Sequence, residues 1–461
     1  MKEHIGIVAP GSTRKIIIIY SKQNINNDFV YIKDDDKKYI FELSTTETIN
    51  EKLKDTEIFR IMNADDNFSR YNIYRTEALY IGTIENNKVI DNNYYIAPPG
   101  TKINIAEKED IERIYDISSK TNRIRIGSLY RQEHIIVNLD FNQLFSTHAS
   151  ILGRTGSGKT YFIEKLLKKI NKKYIVISST NEYNSLVDNN CLYDSGNIPV
   201  QIDLHTCRKV FSLNESEFGC LLNFSNEFNF DKSYSTKILS ENIATYYQMS
   251  EMKNYQQSSL FPEEKKRNIS NIEVPRFVTS LCAKLSQADI KVNFMNNKPI
   301  EKLPFVLSTQ EMSEKTEDIA VYSVLSTILK SKMKEFNDNK YDKKNDILII
   351  LEEAHNYAPS VRTTICKEII VQIARVGRKY GLHLLILSQR PRHIDQTILS
   401  QCGTNFIFNL PNPQDVEYVM EHSYFYNEKE QNTIKNLRTG ECLITSNTRN
   451  TNIICKISFE N

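Results

Sequence analysis

The feature that most constrains the fold is a glycine-rich loop, GRTGSGKT, at residues 153–160. It follows the apolar run Ala149 to Leu152 and leads into a predicted helix that begins at Tyr161. The loop fits the pattern G-x-x-x-x-G-K-[ST] at every defined position, and three of the chain's 14 glycines lie within it. This order of strand, glycine turn and helix predicts a phosphate-binding loop. The alternative is a glycine turn that only connects a strand to a helix.

Each residue type in the loop has a chemical reason to be there. Glycines permit positive φ, so successive N–H groups can converge on phosphate oxygens, and the helix N-terminus adds positive potential. We expect Lys159 to reach the β- and γ-phosphates and Thr160 to ligate Mg²⁺. ATP and Mg²⁺ are therefore the expected cofactors. The predicted nucleotide-binding residues are Gly153, Arg154, Thr155, Gly156, Ser157, Gly158, Lys159, Thr160 and Tyr161.

Two adjacent acids follow a second apolar strand. Residues Ile347 to Leu351 form a continuous aliphatic run, typical of a buried parallel strand, and Glu352 and Glu353 come directly after it. Ligands bind at the carboxyl ends of parallel strands, so we expect these acids near the phosphate loop. Glu352 is predicted to hold Mg²⁺, directly or through water, and Glu353 to orient and polarise the attacking water. The alternative is an acidic start to the next helix.

Two further catalytic residues are predicted downstream. Gln389 ends the apolar strand that begins at Leu384, and an amide at that position can bond both the γ-phosphate and the lytic water. Arg375 and Arg378 lie three residues apart near the end of a predicted helix, hence on one side of it. We predict that Arg378 is an arginine finger, including for a phosphate bound by a neighbouring subunit. For Gln389 the alternative is a polar transition from strand to loop. For Arg375 and Arg378 the alternative is that both cations only complement the helix dipole.

The pattern of segments divides the chain into two predicted domains. Residues 1–130 contain short Ile-, Val- and Tyr-rich segments, the last of them Tyr94 to Ala97, which is typical of a small antiparallel barrel or sandwich. In residues 131–461 strands alternate with helices, which predicts an α/β fold with a mostly parallel sheet. Residues 214–300 are polar and mainly helical in pattern and are predicted to be a helical insertion.

Composition excludes several classes of protein. Charged residues make up 25% of the chain and hydrophobic residues 40%, as in ordinary folded proteins, and the net charge of +2 neither demands nor excludes nucleic acid. The eight cysteines never approach a C-x-x-C spacing, which argues against a zinc knuckle and predicts reduced thiols. No apolar run approaches the roughly 18 residues of a membrane span, so a cytoplasmic protein without a membrane partner is expected.

Taken together, the motifs resemble those of the HerA-type ATPases of the FtsK/HerA superfamily, over residues from about 123 to 460. The stretches that carry the resemblance are LGRTGSGKT at 152–160, LEEAHNYAP at 351–359, ARVGRKYGL at 374–382 and SQRP at 388–391. The resemblance implies a RecA-like P-loop core preceded by a β-barrel of the HAS type. It also implies a hexameric ring of identical subunits that hydrolyses ATP to translocate double-stranded DNA and works with a nuclease.

The same resemblance leaves a second function open. Bacterial members often lie beside a nuclease or a sirtuin-like effector in antiphage defence, so the ring is alternatively an ATP-binding scaffold that regulates such an effector with little translocation. Two positions depart from the family pattern, since Thr147 stands where an Arg is common and Ser178 where an Asp is usual. These departures imply weak hydrolysis or a different intersubunit cation. The candidates for that cation are Arg125, Arg131 and Arg378. Candidate segments for DNA contact are 208–235 and 390–403; the alternative for Arg390, Arg392 and His393 is a solvated surface turn.

Overall fold

A computed structural model gives the fold of the chain, which divides into two compact units. The first unit comprises Met1–Gln143, Gly403–Pro411 and Ser423–Asn461, and the second comprises Leu144–Cys402 and Asn412–His422. The residues that the structure describes are 4–13, 16–21, 24–25, 28–49, 73–90, 95–117, 123–140, 146–170, 172–194, 202–227, 234–257, 274–288, 290–292, 303–422, 428–447 and 452–459.

The described residues form the following strands and helices. The strands are β1 (Gly6–Val8), β2 (Ile16–Ser21), β3 (Phe29–Asp34), β4 (Lys37–Ile49), β5 (Ile73–Glu85), β6 (Lys88–Ile90), β7 (Lys102–Ile105), β8 (Arg123–Leu129), β9 (Gln132–Asp140), β10 (His148–Leu152), β11 (Lys173–Ser178), β12 (Leu192–Tyr193), β13 (Tyr234–Ser235), β14 (Lys291–Val292), β15 (Phe305–Ser308), β16 (Ile347–Leu351), β17 (Leu382–Ser388), β18 (Cys402–Ile407), β19 (Glu441–Ser446) and β20 (Ile453–Ile457). The helices are α1 (Lys108–Ile114), α2 (Lys159–Lys169), α3 (Leu204–Val210), α4 (Glu215–Glu227), α5 (Thr236–Gln257), α6 (Arg276–Leu285), α7 (Glu314–Asn337), α8 (Ile365–Val376), α9 (Gln396–Leu399), α10 (Pro413–Glu421) and α11 (Glu428–Asn436).

A closed six-stranded barrel begins the first unit. Its strand order is β2-β1-β7-β3-β4-β5, and antiparallel pairing of β2 with β5 closes it. Alternate side chains point inward, and those of Ile17, Ile19, Val30 and Ile32 are fully buried in its core. The barrel confirms the predicted small N-terminal β-structure. The expectation of a strand at Tyr94 to Ala97 is wrong for the described residues 95–97, which belong to no strand; the next strand, β7, begins at Lys102.

The first unit also contains an antiparallel ladder of five strands, in the order β18-β19-β20-β8-β9. Gly127 allows β8 to approach β20 closely, since a Cβ at this position would lie 2.0 Å from the carbonyl oxygen of Lys456. Residues from the C-terminal end of the chain therefore pair with strands that precede the glycine-rich loop.

Six parallel strands form the centre of the second unit, in the order β12-β15-β11-β16-β17-β10. All residues of β10, β16 and β17 are buried. Strand β16 is accordingly a continuous aliphatic run, whereas β10 and β17 each also contain a histidine and a serine. Because the strands are parallel, their carboxyl ends meet at one edge. The α/β fold with a mostly parallel sheet is confirmed.

Helices α3 to α6 lie between β12 and β15, and three of them fall within the segment 214–300. Glu217, on α4, is buried and accepts hydrogen bonds from Lys284 Nζ (2.6 Å) and Ser280 Oγ (2.6 Å), both on α6. This buried ion pair links two helices of the segment. In the described part of the chain, no helix has the length and apolar composition needed to cross a bilayer.

Candidate functional site

The predicted site residues come from the carboxyl ends of four adjacent parallel strands. In the order β11-β16-β17-β10, each strand is followed by a segment with polar side chains, and the glycine-rich loop follows β10. The backbone N–H of Gly153 donates to the carbonyl of Ser388 at the end of β17 (3.2 Å). This edge of a parallel sheet is where such folds bind ligands.

The glycine-rich loop has the backbone of a phosphate cradle. Gly156 has a φ of 74° and Gly158 a φ of 108°, conformations that side chains with a Cβ rarely adopt. Gly158 is the N-cap of α2, so the loop ends at a helix N-terminus. The hydroxyl of Ser157 is buried and donates to the carbonyl of Arg154 (2.7 Å), which fixes the bend of the loop.

Lys159 lies between the loop and the two acids. Its Nζ donates to the carbonyl oxygens of Gly153 (2.6 Å) and Arg154 (3.0 Å). Burial lowers the pKa of Lys159, while the negative charges of Glu353 and Glu352 oppose that shift. The structure thus brings together the lysine and both acids that the sequence placed about two hundred residues apart.

Glu353 is held in a constrained geometry. Its φ is 48°, which is unusual for a residue other than glycine and is found at functional sites. Oε2 of Glu353 lies 3.2 Å from Nδ1 of His355 and accepts from the backbone N–H of Gln389 (3.3 Å). Burial raises the pKa of Glu353, but these contacts and the charge of Lys159 outweigh it, so the pKa lies below its usual value. The carboxylate is therefore ionised and able to accept a proton.

Gln389 connects the loop to β17. Its Oε1 accepts a hydrogen bond from the hydroxyl of Thr155, within the phosphate loop. Oγ of the preceding residue, Ser388, lies 3.1 Å from Nδ1 of His355. The same Oγ accepts a hydrogen bond from the backbone N–H of Arg390 (2.9 Å). The amide of Gln389 therefore lies where the sequence predicted it, next to the loop and to Glu353.

Glu352 is buried and is held by hydroxyl groups from β11 and the turn after it. Its Oε2 accepts hydrogen bonds from Ser178 Oγ and from Thr180 Oγ1 (2.9 Å). Burial raises the pKa of Glu352; the two hydroxyls oppose this, and the charges of Glu182 and Glu353 add to it. Ser178 therefore contributes a neutral hydrogen-bond donor to Glu352.

The groups around Glu352 fit a magnesium ion. Tyr183 is fully buried, and its side chain lies beside Thr160 and Glu352. Oxygen atoms of hydroxyl and carboxylate groups are what Mg²⁺ prefers, usually one or two protein ligands completed by phosphate and water. The described residues contain no cluster of three or more His, Cys, Asp or Glu side chains able to bind a metal unaided.

Arg378 lies at the other edge of the sheet. Helix α8 ends at Val376, and Arg378 belongs to the 3-10 turn Gly377–Tyr380 that precedes β17. Placing Arg375 and Arg378 on one helix face is therefore wrong, because the helix stops between them. The length of β17, seven residues or roughly 23 Å, separates this turn from Gln389. Arg378 is thus far from the phosphate loop of its own chain.

A buried histidine holds the segment that carries Arg378. His148 Nε2 lies 3.0 Å from the carbonyl of Ala374, and Nδ1 accepts from the backbone N–H of Leu384 (2.9 Å). Burial lowers the pKa of His148 to about 4, so its imidazole is neutral with the proton on Nε2. Thr147, the residue before it, is also buried and cannot extend from the surface as an arginine would.

The basic residues considered for DNA contact differ in their surroundings. Three are paired with acids: Arg208 with Glu215, Lys209 with Glu368 (3.0 Å) and Arg392 with Asp415 (2.9 Å). Arg390 and His393 are exposed in the turn that follows Gln389. Arg390 is the exposed basic residue that directly follows Gln389.

Comparison with known proteins gives a consistent set of relatives. Residues 124–428 match the family model described as the central domain of helicase HerA. A probable helicase of Methanocaldococcus jannaschii is 25% identical over 434 residues, which cover 90% of this chain and 83% of that protein. A DNA double-strand break repair helicase HerA of Sulfurisphaera tokodaii is 25% identical over 472 residues, 96% of this chain and 90% of that protein. Among solved structures, VirB4 of Thermoanaerobacter pseudethanolicus has a TM-score of 0.49 and 15% identity over 74% of this chain and 98% of that chain.

Proposed function

The chain belongs to the HerA-type ATPases of the FtsK/HerA superfamily, and from this premise we propose that it hydrolyses ATP to translocate double-stranded DNA as a homohexameric ring. The observation that carries the proposal is the meeting of Lys159, Glu352 and Glu353 at one edge of the parallel sheet. Lysine and main-chain amides bind phosphate charge, and a second acid beside the metal ligand serves hydrolysis.

The residues divide the chemistry among them. Backbone N–H groups of the loop and the ammonium of Lys159 bind the phosphates, while Thr160 and Glu352 would hold Mg²⁺. When bound, the ion neutralises charge on the phosphate oxygens. Glu353 accepts a proton from the attacking water, since its carboxylate is ionised and held by His355. Gln389 orients that water and bonds the γ-phosphate.

Movement along DNA requires contacts that do not read sequence. Arg390 and His393 lie in the turn directly after Gln389. A contact of this turn with the DNA backbone phosphates would therefore be linked to the nucleotide site through Gln389. Because the contacts are ionic, duplex binding weakens steeply with salt. We propose that the ring delivers DNA to a partner effector, either a nuclease or a sirtuin-like protein. The complex would act in DNA processing or antiphage defence, in the cytoplasm.

The test is a measurement of assembly and of DNA-dependent hydrolysis on the purified protein. We expect six subunits by native mass with ATP, faster hydrolysis with duplex DNA, and duplex affinity that falls with each increase in salt. Lys159→Ala serves as the negative control. A wild-type ring whose ATPase ignores DNA and whose duplex binding is insensitive to salt would rule the motor out.

A second function, an ATP-binding hexameric scaffold for an effector, is favoured by one observation. Thr147 is buried where relatives often present an arginine to the adjacent subunit, so one route for coupling between subunits is missing. If Glu353→Ala abolishes hydrolysis but leaves effector activity intact in the complex, translocation is dispensable and the scaffold is the function. Loss of both activities supports the motor.

A further inference from the structure

We propose that Lys367 is a positioning residue for hydrolysis, because its ammonium group holds the turn after Gln389 against the loop after Glu353. This contact fixes the two catalytic side chains relative to each other. The turn comprises residues 390–395 and the loop residues 354–364. The inference rests on the proposed function, since it takes Glu353 as the base and Gln389 as the residue that orients the water. Lys367 itself lies outside every stretch that carries the family resemblance.

The turn and the loop are joined by their backbones. The N–H of Ser360 donates to the carbonyl of His393 (2.8 Å). The N–H of Asp395 donates to the carbonyl of Ala358 (3.0 Å). These two bonds flank an isolated antiparallel bridge. A pairing of this length is marginally stable by itself, so its register depends on further contacts.

Lys367 supplies such contacts from the first turn of α8. Its Nζ donates to the carbonyl oxygens of Pro359 (2.8 Å) and Arg362 (3.4 Å) in the loop. It also lies 2.9 Å from Oδ2 of Asp395 in the turn. Each of the three ammonium protons therefore has an acceptor, and the acceptors come from both segments. The side chains of Lys367 and Asp395 are only 16% and 18% exposed, so salt screens this ion pair less than a surface pair.

The carboxylate of Asp395 is held on both of its oxygens. Burial raises the pKa of Asp395, but hydrogen bonds from Lys367 and Thr397 outweigh it, so the pKa lies below its usual value and the group is ionised. Its Oδ1 accepts a hydrogen bond from the backbone N–H of Thr397 (2.9 Å), in the first turn of α9. The end of the turn is therefore held between α8 and α9.

Both segments are continuous with the catalytic residues. In the turn, the N–H of His393 donates to the carbonyl of Arg390 (3.0 Å), the residue after Gln389. In the loop, the N–H of Asn356 donates to the carbonyl of Glu353 (2.8 Å). A displacement of the turn therefore moves the amide of Gln389 relative to the carboxylate of Glu353. Because Arg390 and His393 lie on the same turn, a DNA phosphate bound there acts on the geometry of hydrolysis.

Lys367→Met tests the proposal on the full chain, because methionine keeps an apolar stem but donates no hydrogen bond. We expect kcat for ATP hydrolysis to fall by about tenfold to a hundredfold, since the base and the water-orienting amide lose their relative position. KM for ATP should stay near that of the wild type, because the phosphate loop is unaltered. Stimulation by duplex DNA should be lost. Steady-state hydrolysis with and without duplex DNA measures these quantities, and thermal unfolding measures stability.

Asp395→Asn is a second, independent variant, and it carries the test if Lys367→Met fails to fold. The amide removes the negative charge but keeps an oxygen for the N–H of Thr397. We expect the same loss of kcat as in Lys367→Met. The double variant should be no slower than either single variant, because all three lack the same contact.

Lys332→Met is the matched control. Lys332, on α7, has a side chain that is 6% exposed, and its Nζ contacts Oε2 of Glu335 (2.8 Å) and the carbonyl of Asn345 (2.9 Å). Asn345 precedes β16, so this contact lies at the edge of the sheet opposite the site. Its loss should lower the thermal midpoint and leave both kcat and the stimulation by DNA unchanged.

Two results would overturn the inference. One is a folded Lys367→Met protein whose kcat equals that of Lys332→Met; the other is a double variant in which the two losses of kcat multiply. A wild type that hydrolyses ATP without responding to DNA would refute the motor alone, and the kcat values of the variants would still decide the inference. A wild type without hydrolysis would refute the proposed function and the inference together.

Discussion

Nδ1 of His355 lies 3.2 Å from Oε2 of Glu353, the acid that follows Glu352 after the end of β16. The backbone N–H of Gln389 donates to the same oxygen (3.3 Å). Neither contact engages Oε1, which leaves that oxygen to accept a proton from water. Glu353 also has a left-handed backbone, with a φ of 48°, and the contacts with His355 and Gln389 lower the pKa of its carboxyl.

Glu353→Gln should separate binding from hydrolysis. The amide keeps the shape of the side chain but cannot accept a proton, so we expect kcat to fall by about 10²- to 10⁴-fold. Affinity for ATP should remain near that of the wild type, because Lys159 and the loop are unaltered. Steady-state hydrolysis and equilibrium binding of labelled ATP measure the two effects. A variant that keeps a tenth or more of the wild-type rate would exclude Glu353 as the base.

Replacement of His355 should change kcat more than KM. His355→Ala removes a group that holds the Glu353 carboxylate, and we expect kcat to fall by roughly tenfold to a hundredfold with little change in KM. His355→Asn retains a nitrogen donor near the position of Nδ1 and should recover most of the loss. If Asn and Ala are equally impaired, the ring of His355 matters for packing rather than for its contact with Glu353.

The fold could be predicted where the signal is local. The strand at Ile347–Leu351 has the bounds predicted from the sequence, because this buried parallel strand is an uninterrupted apolar run. The end of α8 was missed. The chain changes to a 3-10 turn at Gly377, where a Cβ would come within 2.8 Å of the Ile373 side chain, and nothing in the pattern of apolar residues predicts that change. The predicted domain boundary at residue 130 stays a prediction.

The site was predictable where a motif marks it and not where distant segments meet. The phosphate loop, the acid pair and Gln389 were identified from spacing. The hydroxyl groups that donate hydrogen bonds to Glu352 could not be identified in this way. Ser178 and Glu352 are 174 residues apart in sequence, and only the order of the strands brings them together. His355 carried one signal, its place two residues after Glu353 in the LEEAH stretch. No pattern in the sequence marked Tyr183 as fully buried beside Thr160 and Glu352.

The phosphate loop should not tolerate a side chain at Gly156. A Cβ at this position would meet nothing within 4 Å, so space does not prevent the substitution. The obstacle is the φ of 74°, which residues with a Cβ rarely adopt. We expect Gly156→Ala to cost about 1–2 kcal/mol in loop conformation and to weaken ATP binding. Gly219→Ala, in helix α4 with equal space, should instead stabilise the protein by roughly 0.5–1 kcal/mol. Chemical unfolding and ATP binding of both variants provide the measurement. Equal behaviour of the two would show that the loop relaxes to a different backbone.

The free energy of unfolding should decrease as the pH is lowered below the ordinary pKa of histidine, because His148 is buried. Burial lowers the pKa of His148 from 6.5 to about 4, so between these values the unfolded chain binds a proton that the folded chain does not. Stability from this group is therefore complete above pH 6.5 and is lost as the pH falls toward 4, by on the order of 3 kcal/mol. His148→Gln, which keeps a donor and an acceptor but does not titrate, should lose less over this interval. The free energy of unfolding of both proteins is measured between pH 7 and pH 4. If it decreases equally in the wild type and in His148→Gln, this account is wrong.

Arg378 should act on a nucleotide bound by a different subunit. The length of β17 separates it from its own phosphate loop, so it can reach only a neighbour's phosphates in a ring. Lys159→Ala and Arg378→Ala are each expected to be inactive alone. Mixed in equal amounts, they should recover about a quarter of the wild-type rate, since that fraction of interfaces pairs an intact lysine with an intact arginine. A mixture of Lys159→Ala with Glu353→Gln should recover nothing, because both residues belong to the site of one chain. Equal recovery in the two mixtures, or none in the first, would contradict action across the interface.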